Sequence, residues 1–145
     1  MIIIFDLDDT LYEEMTFVKG GMRAVSNFLK DHLQESPELI YEELMNILIL
    51  QGRNKIFDTL LKKKNKFKKY LVSQCINRYR YHKPSIKLHK QAIDFLKSNK
   101  FKNLYLVTDG NKKVQFEKVK ALNIKKFFKK IFITHRYGIK NAKPS

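Results

Sequence analysis

Met1-Ile2-Ile3-Ile4-Phe5-Asp6-Leu7-Asp8-Asp9-Thr10 opens the chain, and the reading of the rest turns on it. Residues 1–5 are all apolar, with three isoleucines in a row. A short β-branched run with no polar face predicts a strand buried on both sides, as in a parallel sheet. The strand runs directly into three carboxylates, Asp6, Asp8 and Asp9. Like charges this close raise one another's pKa unless a positive group sits among them. A divalent cation with oxygen ligands, Mg2+ above all, is the simplest such group. In open α/β sheets ligands bind beyond the carboxyl ends of the strands, and Asp6 and Asp8 stand at that end. Aspartates after a strand also cap helices and build turns. The buried strand before them and Thr10 after them favour the chemical reading.

Phe5-Asp6-Leu7-Asp8-Asp9-Thr10-Leu11-Tyr12 resembles the first motif of the haloacid dehalogenase-like hydrolases. The resemblance implies a Rossmannoid α/β core, Mg2+ and phosphoryl transfer through an aspartyl-phosphate. Asp6 would be the nucleophile, and Asp8 the general acid and base. Asp8 in the second position favours phosphate ester cleavage, which needs an acid there, over dehalogenation. Asp6 and the backbone carbonyl of Asp8 would hold the metal.

The 145 residues allow one domain, or a small core with an insertion. Cys75 is the single cysteine, so no internal disulfide forms; this fits a reducing, cytoplasmic setting. No run is long enough for a membrane span. The net charge of +16 invites a nucleic-acid reading, with the densest basic run at residues 62–69. The lysines are scattered over the whole chain, however, and a solvated lysine-rich surface that steers anionic substrates accounts for them more simply.

Beyond Thr10 the pattern turns helical. Val18, Met22, Val25, Leu29 and Leu33 share one face, with Gly20-Gly21 weakening the first turn. Ser36-Pro37 starts a second helix over residues 38–50, whose apolar tail at 44–50 predicts burial all round. Two more helices follow near residues 55–63 and 67–81. Residues 15–83 therefore read as an all-helical insertion, with the core at 1–14 and 84–145. The placement resembles the cap that one subclass of the family inserts after its first motif. Tyr12, Glu13, Phe17 and Arg23 are candidates there for contacts that choose the substrate.

The core resumes with a helix marked by Leu88, Ala92, Phe95 and Leu96, then a strand at 104–108 ending Thr108-Asp109-Gly110. A hydroxyl at the strand end, with the backbone N–H groups of that turn, suits a phosphate. It matches the family's second motif, so Thr108, Asp109 and Gly110 are the phosphate-binding candidates. The following helix predicts Val114, Phe116, Val119 and Leu122 as its buried set, and a third strand spans 130–134. Lys143-Pro144, about 35 residues past Thr108, is where the third motif is expected, with Lys140 as competitor. Lys143 would pair with Asp6 and the transferring phosphoryl group.

The family's fourth motif, an acidic pair after a fourth core strand, does not appear before Ser145. The expectation is a fragment, a truncated frame or a chain completed by another copy. The first strand is then a sheet edge open to self-association. The functional expectation is hydrolysis of a small phosphorylated metabolite. An inactive remnant and a basic nucleic-acid-binding module are the other two readings.

Overall fold

The computed structural model describes residues 1–98, 103–137 and 143. The chain divides into two compact units, residues 1–17 with 83–145, and residues 18–82. The first unit carries a three-stranded parallel sheet in the order β1-β2-β3, with β1 Ile3–Phe5, β2 Leu104–Thr108 and β3 Lys130–Ile133. Registers run Phe5↔Leu106 between β1 and β2, and Thr108↔Ile133 between β2 and β3. The carboxyl ends of all three strands therefore fall on one edge of the sheet. The third strand stops at Ile133, because Thr134 opens a 3-10 turn through Tyr137.

Among the described residues β1 pairs with β2 alone, and it is not buried on both faces as its composition implies. Phe5 packs edge-to-face against Phe95 and Phe128, at ring separations of 5.5 and 5.9 Å. Ile4, pointing the other way, is 65% exposed. A run of isoleucines shows that a strand is apolar, but not which neighbours cover it.

Helices labelled α1 to α6 follow in chain order: Glu14–Leu33, Pro37–Gln51, Ile56–Lys63, Lys69–Arg80, Lys90–Ser98 and Lys112–Ala121. The sheet unit holds α5 and α6, and Leu96 of α5 is buried in its core. The helical unit holds α2, α3, α4 and all of α1 beyond Phe17. Within it, Val18, Met22, Val25 and Leu29 form the buried stripe of α1, while Leu33, expected on the same face, is only half-buried at the helix end. Gly20-Gly21 does not interrupt that helix and serves its packing. A Cβ on Gly21 would lie 2.4 Å from the Tyr79 ring, and one on Gly20 would lie 2.9 Å from His82 Nε2. Ser36 caps α2 by accepting from Leu39 N at 3.3 Å, and Gly52 ends it at φ 76°.

The tail of α2 departs from expectation. Ile47 and Leu48 are buried, but Ile49 and Leu50 are 76% and 82% exposed. Only the stripe facing α3 is covered, so the last turn is amphipathic in place although apolar in composition. Cys75 sits in the core, and burial pushes its thiol up to about 12, which suits an inert apolar filler. Lys64, inside the densest basic run, is held by Glu35 at 2.7 Å and Glu43 at 2.5 Å. That run is thus partly neutralised by its own fold. No helix among the described residues is long and apolar enough to cross a membrane.

Candidate active site

The three aspartates after β1 divide their tasks. Asp9, at φ 54°, accepts from Glu14 N at 2.8 Å and caps the start of α1. The capping role thus falls on Asp9 and leaves the other two for the sheet edge. Asp6 is about half exposed, and Lys143 donates to its Oδ1 from Nζ at 2.8 Å.

Asp8 is the centre of a denser network. Its Oδ1 accepts from the Tyr12 hydroxyl and from Lys118 Nζ at 2.7 Å. Its Oδ2 accepts from Gln115 Nε2 at 2.8 Å. Burial acts to raise the pKa of this carboxyl, but the bonds from Lys118, Tyr12 and Gln115 outweigh it and hold the group below its usual 3.8. Tyr12 is driven the opposite way by burial and by Asp8, and stays a phenol. Tyr12 is buried with its hydroxyl spent on Asp8, which makes it part of the site's framework.

Thr108 ends β2 with its side chain fully buried, and its Oγ1 accepts from Gln115 Nε2 at 2.6 Å. Asp109 spends its carboxylate on the protein: Thr134 Oγ1 donates at 2.6 Å and Lys143 N at 3.2 Å. The Thr134 hydrogen bond first lowers its pKa; burial opposes it, and the Lys143 N–H with the charges of Lys143 and His135 adds to the lowering. The carboxylate thereby ties the Lys143 backbone to the sheet edge, while the expected phosphate contact of Asp109 runs through the backbone N–H of the turn and not through this side chain. Asn111 caps α6, accepting from Lys113 N and Val114 N at 3.0 and 3.3 Å. Gly110 takes φ 131°, a conformation that favours glycine.

The residues singled out in the sequence, Asp6, Asp8, Thr108, Asp109, Gly110 and Lys143, therefore meet along one edge of the sheet. Lys140 lies outside the described residues. The sequence reading missed Gln115 and Lys118. It assigned Phe116 to the core of α6, yet Phe116 is 53% exposed. The buried stripe is Val114, Gln115, Lys118, Val119 and Leu122, at i, i+1, i+4, i+5 and i+8. Lys118 runs under the Phe17 ring, with its ammonium 4.4 Å from the centroid.

The donor set bears on the metal. Carboxylate and carbonyl oxygens are the ligands Mg2+ prefers. The Asp8 carboxylate is taken up by three protein donors, so the groups that fit the ion are the Asp6 carboxylate and the Asp8 main-chain carbonyl. Among the described residues no cluster of three or more His, Cys, Asp or Glu gathers.

Over residues 1–145 the sequence matches the haloacid dehalogenase-like hydrolase family. The chain belongs to that family. Among its curated relatives, glyceraldehyde 3-phosphate phosphatase of Pyrococcus abyssi is 29% identical over 99% of this chain. The enzyme of the same name from Methanocaldococcus jannaschii is 31% identical over 94%. The chain spans 63% of the length of each of these relatives. Among solved structures, the HAD-hydrolase YfnB of Bacillus subtilis, bound to magnesium, shares the fold with a TM-score of 0.60. It is 20% identical, with 94% of this chain and 64% of that one covered.

Proposed function

We propose that the protein is a Mg2+-dependent phosphate monoester hydrolase that works through an aspartyl-phosphate on Asp6. One observation carries the reading: Lys143 Nζ lies 2.8 Å from Asp6 Oδ1, at the same sheet edge as the buried Thr108 hydroxyl. A carboxylate with an ammonium and a hydroxyl at neighbouring strand ends is a nucleophile flanked by groups that neutralise a phosphoryl oxygen.

In this reading an Asp6 oxygen attacks phosphorus in line, and the bond to the ester oxygen breaks. Lys143 and Thr108 hold the phosphoryl oxygens. Asp8 gives a proton to the departing oxygen. It then takes one from the water that opens the phosphoaspartate, so each cycle returns it protonated. A dianionic phosphoryl group beside Asp8 opposes the lowering by Lys118 and favours that protonated form. Mg2+, held by Asp6 and the Asp8 carbonyl, would supply further neutralisation of phosphoryl charge. The helical unit would act as the cap that screens the phosphoenzyme from stray water. The relatives' names point to a small phosphorylated aldehyde as the first substrate to try.

The test is phosphate release from an aryl phosphate and from glyceraldehyde 3-phosphate, with Mg2+ and with chelator. Wild type turns over only with Mg2+, and Asp6→Asn does not. A folded wild-type protein that releases no phosphate from either ester sinks the reading and leaves an inactive relative of the family.

A further inference from the structure

Gln115 is 2% exposed and contacts two groups that the hydrolase reading uses in different steps. Its Nε2 lies 2.6 Å from Thr108 Oγ1 and 2.8 Å from Asp8 Oδ2. The direction of these bonds follows from the charges around them. Lys118 ion-pairs with Asp8 at 2.7 Å, so the Asp8 carboxylate is an acceptor. The Gln115 group facing it must be the NH2, not the carbonyl. One hydrogen of that NH2 goes to Asp8, and the other is left for Thr108. Thr108 Oγ1 is therefore an acceptor toward Gln115, which leaves its own single hydrogen for another oxygen. Gly110 makes the arrangement possible: a Cβ there would sit 3.1 Å from both Cγ and Cδ of Gln115.

We propose that Gln115 is a positioning residue that commits the Thr108 hydroxyl to donate toward the phosphoryl group and ties that hydroxyl to Asp8. This rests on the hydrolase reading only for what occupies the phosphate position. The polarity runs in one line, from the Lys118 ammonium through the Asp8 carboxylate and the Gln115 amide to the Thr108 hydroxyl. Because Gln115 acts through Thr108, its effect on phosphate affinity should vanish once the hydroxyl is gone.

The test compares Gln115→Glu, which keeps shape but replaces the donor with an acceptor, with Gln115→Met, Thr108→Val and the double variant Gln115→Met/Thr108→Val. Circular dichroism checks each fold, and Lys120→Gln on the exposed side of α6 is the control. Inorganic phosphate is the probe, titrated calorimetrically, alongside kcat and KM for an aryl phosphate. Gln115→Glu should weaken phosphate binding by about ten- to a hundred-fold, the range of one hydrogen bond to a charged group. Gln115→Met should lose less, and the double variant should bind no more weakly than Thr108→Val alone. Equal binding by wild type and Gln115→Glu overturns the proposal, as do strictly additive losses in the double variant or no phosphate binding by folded wild type. Two outcomes separate this proposal from the hydrolase reading. Turnover that needs Asp6 but ignores Gln115 removes the proposal alone. The expected binding pattern without turnover supports it and removes the hydrolase reading.

Discussion

Replacing Lys118 with Met tests whether the buried ion pair under the site holds the sheet unit together. The Lys118 side chain is 6% exposed and its partner Asp8 22%. Removing one partner of a fully buried pair costs about 3–5 kcal/mol, because the other charge stays behind without compensation. Asp8 keeps Tyr12 and Gln115 as donors and retains some water contact, which scales the loss down to about 2–3 kcal/mol. The lost contact of the ammonium with the Phe17 ring, 4.4 Å away, is largely offset by methionine sulfur against the same ring. At about 2–4 °C per kcal/mol for a chain of this size, the melting temperature should fall by about 4–12 °C. Urea unfolding at neutral pH, followed by a probe in the sheet unit, gives the same quantity as a shift of midpoint at constant slope. The double variant Asp8→Asn/Lys118→Met should be at least about 1 kcal/mol more stable than the sum of the single losses implies, since it leaves no orphaned charge. A cost below about 0.5 kcal/mol for Lys118→Met, or strict additivity in the cycle, would refute the claim that this pair is structurally coupled.

Two further perturbations concern the helical unit. Gly21→Ala gains about 1 kcal/mol of helix propensity but drives a Cβ to 2.4 Å from the Tyr79 ring, where overpacking costs about 1–3 kcal/mol. A net loss in thermal stability is expected, and a gain would mean that the ring yields freely. Glu43 is held below its usual 4.5, first by the Lys64 hydrogen bond, so it contributes stability above that pH and loses it as pH falls through the lowered value. Lys64 is raised above 10.5, first by Glu35, so its contribution is full below 10.5 and fades as pH rises through the raised value. Glu43→Gln should therefore lower stability at neutral pH but make little difference in strong acid; a deficit that persists there would assign the effect to packing.

The sheet edge was legible in the sequence because its chemistry is local. An apolar strand followed by Asp6 and Asp8, a second ending in Thr108, and Lys143 past a third each carry their signal within a few residues. What was not legible is what α6 contributes. Gln115 and Lys118 look like ordinary surface residues of a basic helix, and Phe116 between them draws the apolar stripe to the wrong face. Their burial is decided by Asp8, 107 and 110 residues away, which no local period reports. One signal was available: moving the stripe to Val114, Val119 and Leu122 places Gln115 and Lys118 on the same face. The exposure of Ile4, Ile49 and Leu50 has the same origin, since composition shows apolarity but not which neighbours cover a surface. Gly20-Gly21 shows the reverse case, a pair that weakens a helix in isolation and is required by the aromatic rings it meets.

The central claim is that Asp6 carries the phosphoryl group, and the most direct measurement is to catch it there. Borohydride reduces an acyl phosphate but leaves a free carboxylate untouched. The protein is mixed with glyceraldehyde 3-phosphate and Mg2+, quenched during turnover, reduced, digested and read by mass spectrometry. The account predicts homoserine in place of aspartate at position 6 alone, and none without substrate. Turnover with an unmodified Asp6, or with the modification at Asp8, would contradict it.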